Sequence, residues 1–304
     1  MYRRIFKTFY LLSLLLLFTA GCSGEEEQQN DVGLDDVGEN AECDDETCFH
    51  QVSAGERHTC ALDGNDFIQC WGDEEDDKLE APSGGFEQLT AGGQLNCALD
   101  GTGVITCWGR ELPSDSPSGY FSQVNTGAAH SCAIDADTDE LECWPGAIDG
   151  ETIPPEGAFQ FVSSGVYLTC GIDLNDDVHC WGDDRYDQSV TPDGSYAKVH
   201  PGEIHACALD QSREIDCWGA DADDRLDAPD GPFVDFSIGQ SHGCALDDAG
   251  QIQCWGRNDD GQSDAPDGTF IDVSAGRWHT CAVTDEYEIV CWGDDEYGQS
   301  SPPT

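Results

Sequence analysis

The sequence predicts an all-β chain arranged as a seven-bladed β-propeller, and three observations carry the prediction. Cysteines recur in seven pairs: Cys60 with Cys70, Cys97 with Cys107, Cys132 with Cys143, Cys170 with Cys180, Cys207 with Cys217, Cys244 with Cys254, and Cys281 with Cys291. Members of a pair stand ten or eleven residues apart, and the pairs repeat every 35–38 positions. Tryptophan follows the second cysteine of every pair, with glycine next in all but one case, where Pro145 follows Trp144. After residue 22 no stretch of useful length has helical period, whereas apolar residues alternate with period two.

Within a unit the strands read in order. Phe270-Ile271-Asp272-Val273-Ser274 alternates and stops at Gly276, as a half-buried strand does. His279-Thr280-Cys281-Ala282-Val283 is a second strand, and Ile289-Val290-Cys291-Trp292 is a third, joined to the second by a polar hairpin turn. The segment between Trp-Gly and the downstream proline is too polar to show a fourth strand. Six units end in a Pro-x-Gly turn.

Pairing Cys60 with Cys70 sets Leu62 opposite Ile68 and leaves residues 64–66 to turn the chain. A cross-strand disulfide fits that register if the pair is not hydrogen-bonded. Closing such a loop contributes roughly 2.5–3 kcal/mol by the chain-entropy relation. Zinc is the rival use of these thiols, but nine or ten intervening residues do not match the two to four of a zinc knuckle. Alternation puts Trp71 on the face opposite Cys70, beside the small Ala61. Both faces then require burial, which stacked sheets closing in a ring supply.

The chain begins with a basic patch (Arg3, Arg4, Lys7) and an apolar run from Phe9 to Ala20, too short for a comfortable permanent span. Thr19-Ala20-Gly21-Cys22 resembles the lipobox of bacterial lipoproteins, with Thr19 in place of the usual leucine. The resemblance implies a signal peptide over 1–21 and lipidation of Cys22. Ser23 after it implies the outer membrane or cell surface. An acidic, Gly-containing tether is expected over 22–48, with Cys43 and Cys48 closing a local loop or stapling it to the domain. The repeats fill 49–304.

Asp and Glu number 62 against 12 Lys and Arg, a formal charge of −50, which argues against nucleic acid as a partner. Seventeen cysteines favour an oxidising compartment. No nucleophile–base pair or phosphate loop stands out from the repeats, so an enzyme is not expected, and no cofactor is implied.

The pattern G-x-x-H-T-C-A … C-W-G … G-Q, clear from Gly276 to Gly293 with Gly298-Gln299, resembles the regulator of chromosome condensation repeat. That family forms seven-bladed propellers and includes a secreted bacterial β-lactamase inhibitor. The paired cysteines and the acidity depart from its nuclear members, whose nucleotide exchange on a small GTPase an exported chain would not perform. In that fold strands from both termini often close the ring, so the Phe49 strand is expected to join the first and last blades.

Residues shared by all units are architectural, and function is sought where units differ. Histidine occupies one position in five units (His58, His130, His205, His242, His279), with Leu95 and Leu168 in the others. Each histidine lies two residues before a cysteine on one strand face, so a hydrogen bond inside its own blade is expected. The two preceding positions vary and fall in the turn between first and second strands. Among them, Arg57, Gln94, Tyr167, Ile204, Arg277 and Trp278 are the candidate partner-binding residues, because Arg and aromatic anchors dominate interfaces. The resemblance to the inhibitor implies a partner-binding face there. The acidic stretches after Trp-Gly, such as 73–77 and 294–296, suit solvation, calcium or attraction of a basic partner. The reading is a monomeric, lipid-anchored protein-binding scaffold. The alternatives are an envelope enzyme, an inhibitor of a secreted hydrolase, or a calcium-dependent adhesion module.

Overall fold

A computed structural model describes residues 46–110, 117–144 and 150–303. Seven antiparallel sheets of three strands follow one another along the chain, each contiguous in sequence and ordered inner, middle, outer. Blade 1 comprises Phe49–Ala54, His58–Asp63 and Ile68–Gly72; blade 7 comprises Phe270–Ala275, His279–Thr284 and Ile289–Gly293. The polar segments after Trp-Gly form no fourth strand among the described residues.

The hairpin register matches the cysteine reading. Cys60 pairs with Cys70 and Leu62 with Ile68. Disulfides join Cys60 to Cys70, Cys97 to Cys107, Cys132 to Cys143 and Cys170 to Cys180. They likewise join Cys207 to Cys217, Cys244 to Cys254 and Cys281 to Cys291. In every blade the two cysteines stand directly opposite, with Cα atoms 4.0–4.1 Å apart, the short spacing of non-hydrogen-bonded pairs. The first cysteine of each pair lies on the middle strand and is fully buried, whereas Cys107, Cys143, Cys180, Cys217 and Cys254, on outer strands, are only partly buried. Cys48 is also disulfide-bonded. Cys22 and Cys43 lie outside the described residues.

The core is divided among the seven junctions between blades. The disulfide face of blade 1 (Cys60, Leu62, Ile68) packs on Phe86, Leu89, Ala98 and Trp108 of blade 2. Blade 7 repeats this on blade 1: Cys281 and Val283 meet Phe49, Val52, Ala61 and Trp71. Thus the disulfide side of one blade is the floor for the tryptophan side of the next, and no sheet has a free face.

Six of the seven Cys-Trp indoles cross a junction to a backbone carbonyl seven residues after the preceding blade's tryptophan, while Trp144 Nε1 has no partner among the described residues. Trp108 donates to Lys78, Trp181 to Glu151, Trp218 to Gln188, Trp255 to Arg225 and Trp292 to Gln262. Trp71 donates to Gln299 at 3.0 Å, so the last loop closes the ring with the contact used elsewhere. The Phe49 strand joins the first and last blades from within its own sheet. Its Phe49 N–H donates to the Tyr287 carbonyl, as Phe121 does to Gly103 and Phe270 to Gly250.

Candidate functional site

The turns between inner and middle strands gather at one end of the ring. There the residue after each turn glycine donates its N–H to a turn of the next blade, from Glu56 to Gly92 around to Arg277 on Gly55. Only glycine permits this approach: a Cβ on Gly127 would lie 2.1 Å from the Gly165 carbonyl oxygen, and one on Gly239 2.1 Å from that of Gly276. Gly72 pairs with His58, and Asp73 N–H donates to the Arg57 carbonyl. The acidic loops after Trp-Gly therefore share this end, outside the turns. All six candidate residues, Arg57, Gln94, Tyr167, Ile204, Arg277 and Trp278, stand on one face.

The structure brings together only those at the junction of blades 7 and 1. Arg277 lies over the Trp278 ring, 4.1 Å from its centroid, and its guanidinium bonds the Glu56 carboxylate. Arg57 lies over Tyr297 at 4.8 Å. The sequence does not single out Tyr297, because it sits in an acidic loop of blade 7 and reaches blade 1 only through ring closure. Gln94 is occupied by the Arg110 guanidinium, while Tyr167 and Ile204 lie on other blades.

Inside the turns runs a channel of about 630 Å³ lined by the inner strands. Inner-strand N–H groups that face it are capped by the preceding blade. Gln51 binds Leu89 N–H, Gln88 binds Val124 and Gln123 binds Val162. Ser53, Thr90 and Asn125 do the same for Ala91, Thr126 and Ser164. From blade 4 the pattern changes. Phe161 offers Val199 no acceptor, Pro201 has no N–H, and Ser163 instead contacts His200 Nδ1 at 3.0 Å. Lys198 pairs with Asp235 at 2.6 Å across blades 5 and 6. Asp272 caps Val52 N–H, and burial together with the Asp235 charge pushes its carboxyl up to about 6.

The repeated histidines are structural, but their bonds leave the blade. His58 Nε2 meets Asn96 Oδ1 at 2.6 Å, and His130, His242 and His279 meet Thr169, Thr280 and Thr59 at 2.8 Å, each on the next blade. All four acceptors pass the contact on: Asn96 to the Lys78 carbonyl, Thr169 to that of Glu151 and Thr280 to that of Gln262. Thr59 does so to Gln299 at the closing junction. A hydroxyl that donates to a carbonyl must accept from the imidazole, so Nε2 carries the proton. Sequence missed the inter-blade direction because the partner is one repeat away. His205 is the exception: Gly243 stands opposite, and neither ring nitrogen has a partner. Burial lowers all five, to about 3 for His205 and His279 and about 4 for the other three.

Among the described residues no group of three or more His, Cys, Asp or Glu is placed to hold a metal. Asp135, the first carboxylate of the Asp135-x-Asp137-x-Asp139 run, accepts the N–H groups of Asp137 and Thr138 and is spent on its own turn. In the acidic loops Asp73, Asp183 and Asp294 bind Lys78, Gln188 and Gln299 in turn, which holds the carbonyls that the tryptophans use.

Three stretches, 49–76, 233–262 and 270–299, match the family model of the regulator of chromosome condensation (RCC1) repeat. No curated protein matches the chain. Among solved structures, the CRINKLY WD40 ectodomain of the Arabidopsis thaliana receptor kinase ACR4 is 23% identical, with TM-score 0.68 over 81% of this chain and 96% of that one. The Physcomitrella patens receptor kinase CR4 ectodomain is 21% identical, with TM-score 0.70 over 81% and 74%. Prp20p of Saccharomyces cerevisiae, studied for binding to Gsp1p and histones, is 15% identical, with TM-score 0.63 over 74% and 80%. At these identities the likeness is one of fold.

Proposed function

We propose that this seven-bladed propeller, three stretches of which match the RCC1 repeat, is an extracytoplasmic protein-binding scaffold. Its binding face is the turn-bearing end of the ring. The supporting observation is the Arg57, Tyr297, Arg277 and Trp278 cluster at the junction of blades 7 and 1, an Arg–aromatic grouping of the kind that anchors interfaces. The solved neighbours include receptor ectodomains and a protein studied with protein partners. Disulfides in all seven blades point to folding in an oxidising compartment, and among the described residues no helix is long and apolar enough to cross a membrane. Attachment is assigned to a lipid on Cys22, followed by the acidic tether.

Capture of envelope proteins by the full chain tests the face. A specific partner should be recovered by wild type and by Leu174→Ala at the opposite end, and lost with Arg57→Ala/Trp278→Ala. Equal recovery by all three contradicts the assigned face. Cys22→Ser should move the protein from the membrane to the soluble fraction; unchanged membrane association contradicts the anchor.

A further inference from the structure

Nine basic residues follow the leader, against 62 acidic ones in the whole chain, and all nine are among the described residues. Eight of them bond a carboxylate or an amide oxygen, from the buried Lys78–Asp73 pair to Arg277 on Glu56. Arg57 is the exception among the described residues. Its guanidinium has no hydrogen bond or ion pair, and its Nε is buried without a partner. The carboxylate it acts on electrostatically, Asp73, is already held by Lys78 and by the Glu75 N–H. What Arg57 has is Tyr297 beneath it.

In so acidic a chain, a half-buried guanidinium left without a carboxylate is a specific arrangement. Stacking on a ring uses the face of the fork and leaves its N–H edges for a coplanar acceptor. We propose that Arg57 is the receptor for a carboxylate supplied by a protein partner, an inference that rests on the turn-bearing end being the binding face. The acidic loops of blades 1 and 7 (73–77 and 294–296) flank Arg57 and Tyr297. Charge complementarity then fixes the partner's epitope: a central Asp or Glu side chain, seated on Arg57, with Lys or Arg around it that faces those loops. The carboxylate alone would be repelled by the loops, and a purely basic surface would leave Arg57 unpaired. The mixed epitope satisfies both.

The probe is a random linear peptide library displayed on phage and selected on the full chain, with the selected peptides then measured on Arg57→Ala and on Trp278→Ala. Selected peptides should carry an Asp or Glu flanked by Lys or Arg. Replacing that Glu by Gln, or Arg57 by Ala, should each weaken binding by roughly 10–100-fold, as for a hydrogen bond to a charged group. Arg57→Lys should recover part of the loss, since charge returns without the bidentate fork. The melting temperature of Arg57→Ala should stay within a few degrees of wild type, because the side chain contributes one ring contact of about 0.5–1 kcal/mol and no hydrogen bond. Selected peptides without a carboxylate, peptides that bind Arg57→Ala as well as wild type, or failure to select any peptide would overturn the proposal. Peptides lost on Trp278→Ala but kept on Arg57→Ala remove the carboxylate receptor and leave the binding face standing. Peptides indifferent to both substitutions remove both.

Discussion

Two junctions of the ring show opposite states of completion. Between blades 7 and 1, where no peptide bond links the blades directly, Asp272 and Ser274 cap the inner-strand N–H groups of Val52 and Ala54 at 2.8 and 2.9 Å. His279 meets Thr59, and the Gln299 carbonyl receives both the Thr59 hydroxyl and the Trp71 indole. Between blades 5 and 6 the chain is continuous, yet the set is broken. Lys198 stands where a capping acceptor is needed, and the Phe236 N–H turns to its own neighbour Asp235. His205 faces Gly243 with both ring nitrogens unpartnered. A Cβ on Gly243 would lie 2.6 Å from Ile238 Cδ1 and 2.5 Å from Trp255, so the missing acceptor has no room.

The difference follows from what holds each junction. Covalent continuity keeps blades 5 and 6 at high effective concentration, so their contact survives an unfilled polar position. Blades 7 and 1 must offset the closure entropy of the whole ring by side-chain and backbone bonds alone. The candidate binding face is built on the completed junction, where Arg57, Tyr297, Arg277 and Trp278 meet, and so depends on it for preorganisation.

The largest effect should come from breaking the closing junction. Truncation after Gly293 removes the Gln299 carbonyl from Trp71 and Thr59 and exposes the floor of blade 1. Denaturant unfolding should lose on the order of 3–5 kcal/mol, similar to deleting a buried large side chain, and the transition should broaden. An unchanged curve would show that the last loop is not the latch.

Next in size is the neck of the ring. Gly127→Ala should cost about 2–3 kcal/mol, since the new methyl would overlap the Gly165 carbonyl oxygen and force adjacent turns apart. A substitution here that leaves the melting temperature unaltered would mean the turns are not held at this spacing.

The histidines sharpen the contrast with opposite signs. His279→Leu should destabilise by about 1 kcal/mol, because Thr59 loses the donor it accepts from. His205→Leu should stabilise by a similar amount, as it removes two unpartnered nitrogens and reproduces the apolar Leu168–Ala206 contact of the neighbouring junction. Acid should amplify this second difference. The folded-state pKa of His205 is depressed to about 3, so its contribution is fully present above the unfolded value near 6.5 and is lost as pH falls toward the folded one. Between pH 6 and 4 the advantage of His205→Leu over wild type should therefore grow, by up to about 1.4 kcal/mol per pH unit. An advantage independent of pH would mean that His205 is already charged or solvated in the fold.

Much of the fold was legible because its information is local. The ten-residue spacing set Cys60 opposite Cys70 and Leu62 opposite Ile68, and alternation placed Trp71 on the face that meets the preceding blade's disulfide. The same spacing carried through to Cys107, Cys180, Cys217 and Cys254, and the one eleven-residue interval, ending at Cys143, still closes its bridge. What the sequence hid is carried by the backbone or by another repeat. The carbonyl of Gln299 has no side-chain signature, and residues as unlike as Lys78, Glu151 and Gln262 fill the same role. The histidine partners lie one repeat onward, so a blade-internal bond was the natural expectation and the wrong one. The candidate face was visible as variable turn residues, yet its stacking partner Tyr297 needed the ring to close before it could be seen.

Native-state hydrogen exchange followed to single amides tests most directly whether closure is completed at blades 7 and 1 and weakest at blades 5 and 6. The predicted result is that the inner strands Tyr196–Pro201 and Phe233–Ile238 exchange by the lower-energy opening, while Val52 and Ala54 exchange only with global unfolding. Faster exchange at Val52 and Ala54 than at Ile238 would contradict it, placing the weak seam where the chain ends meet.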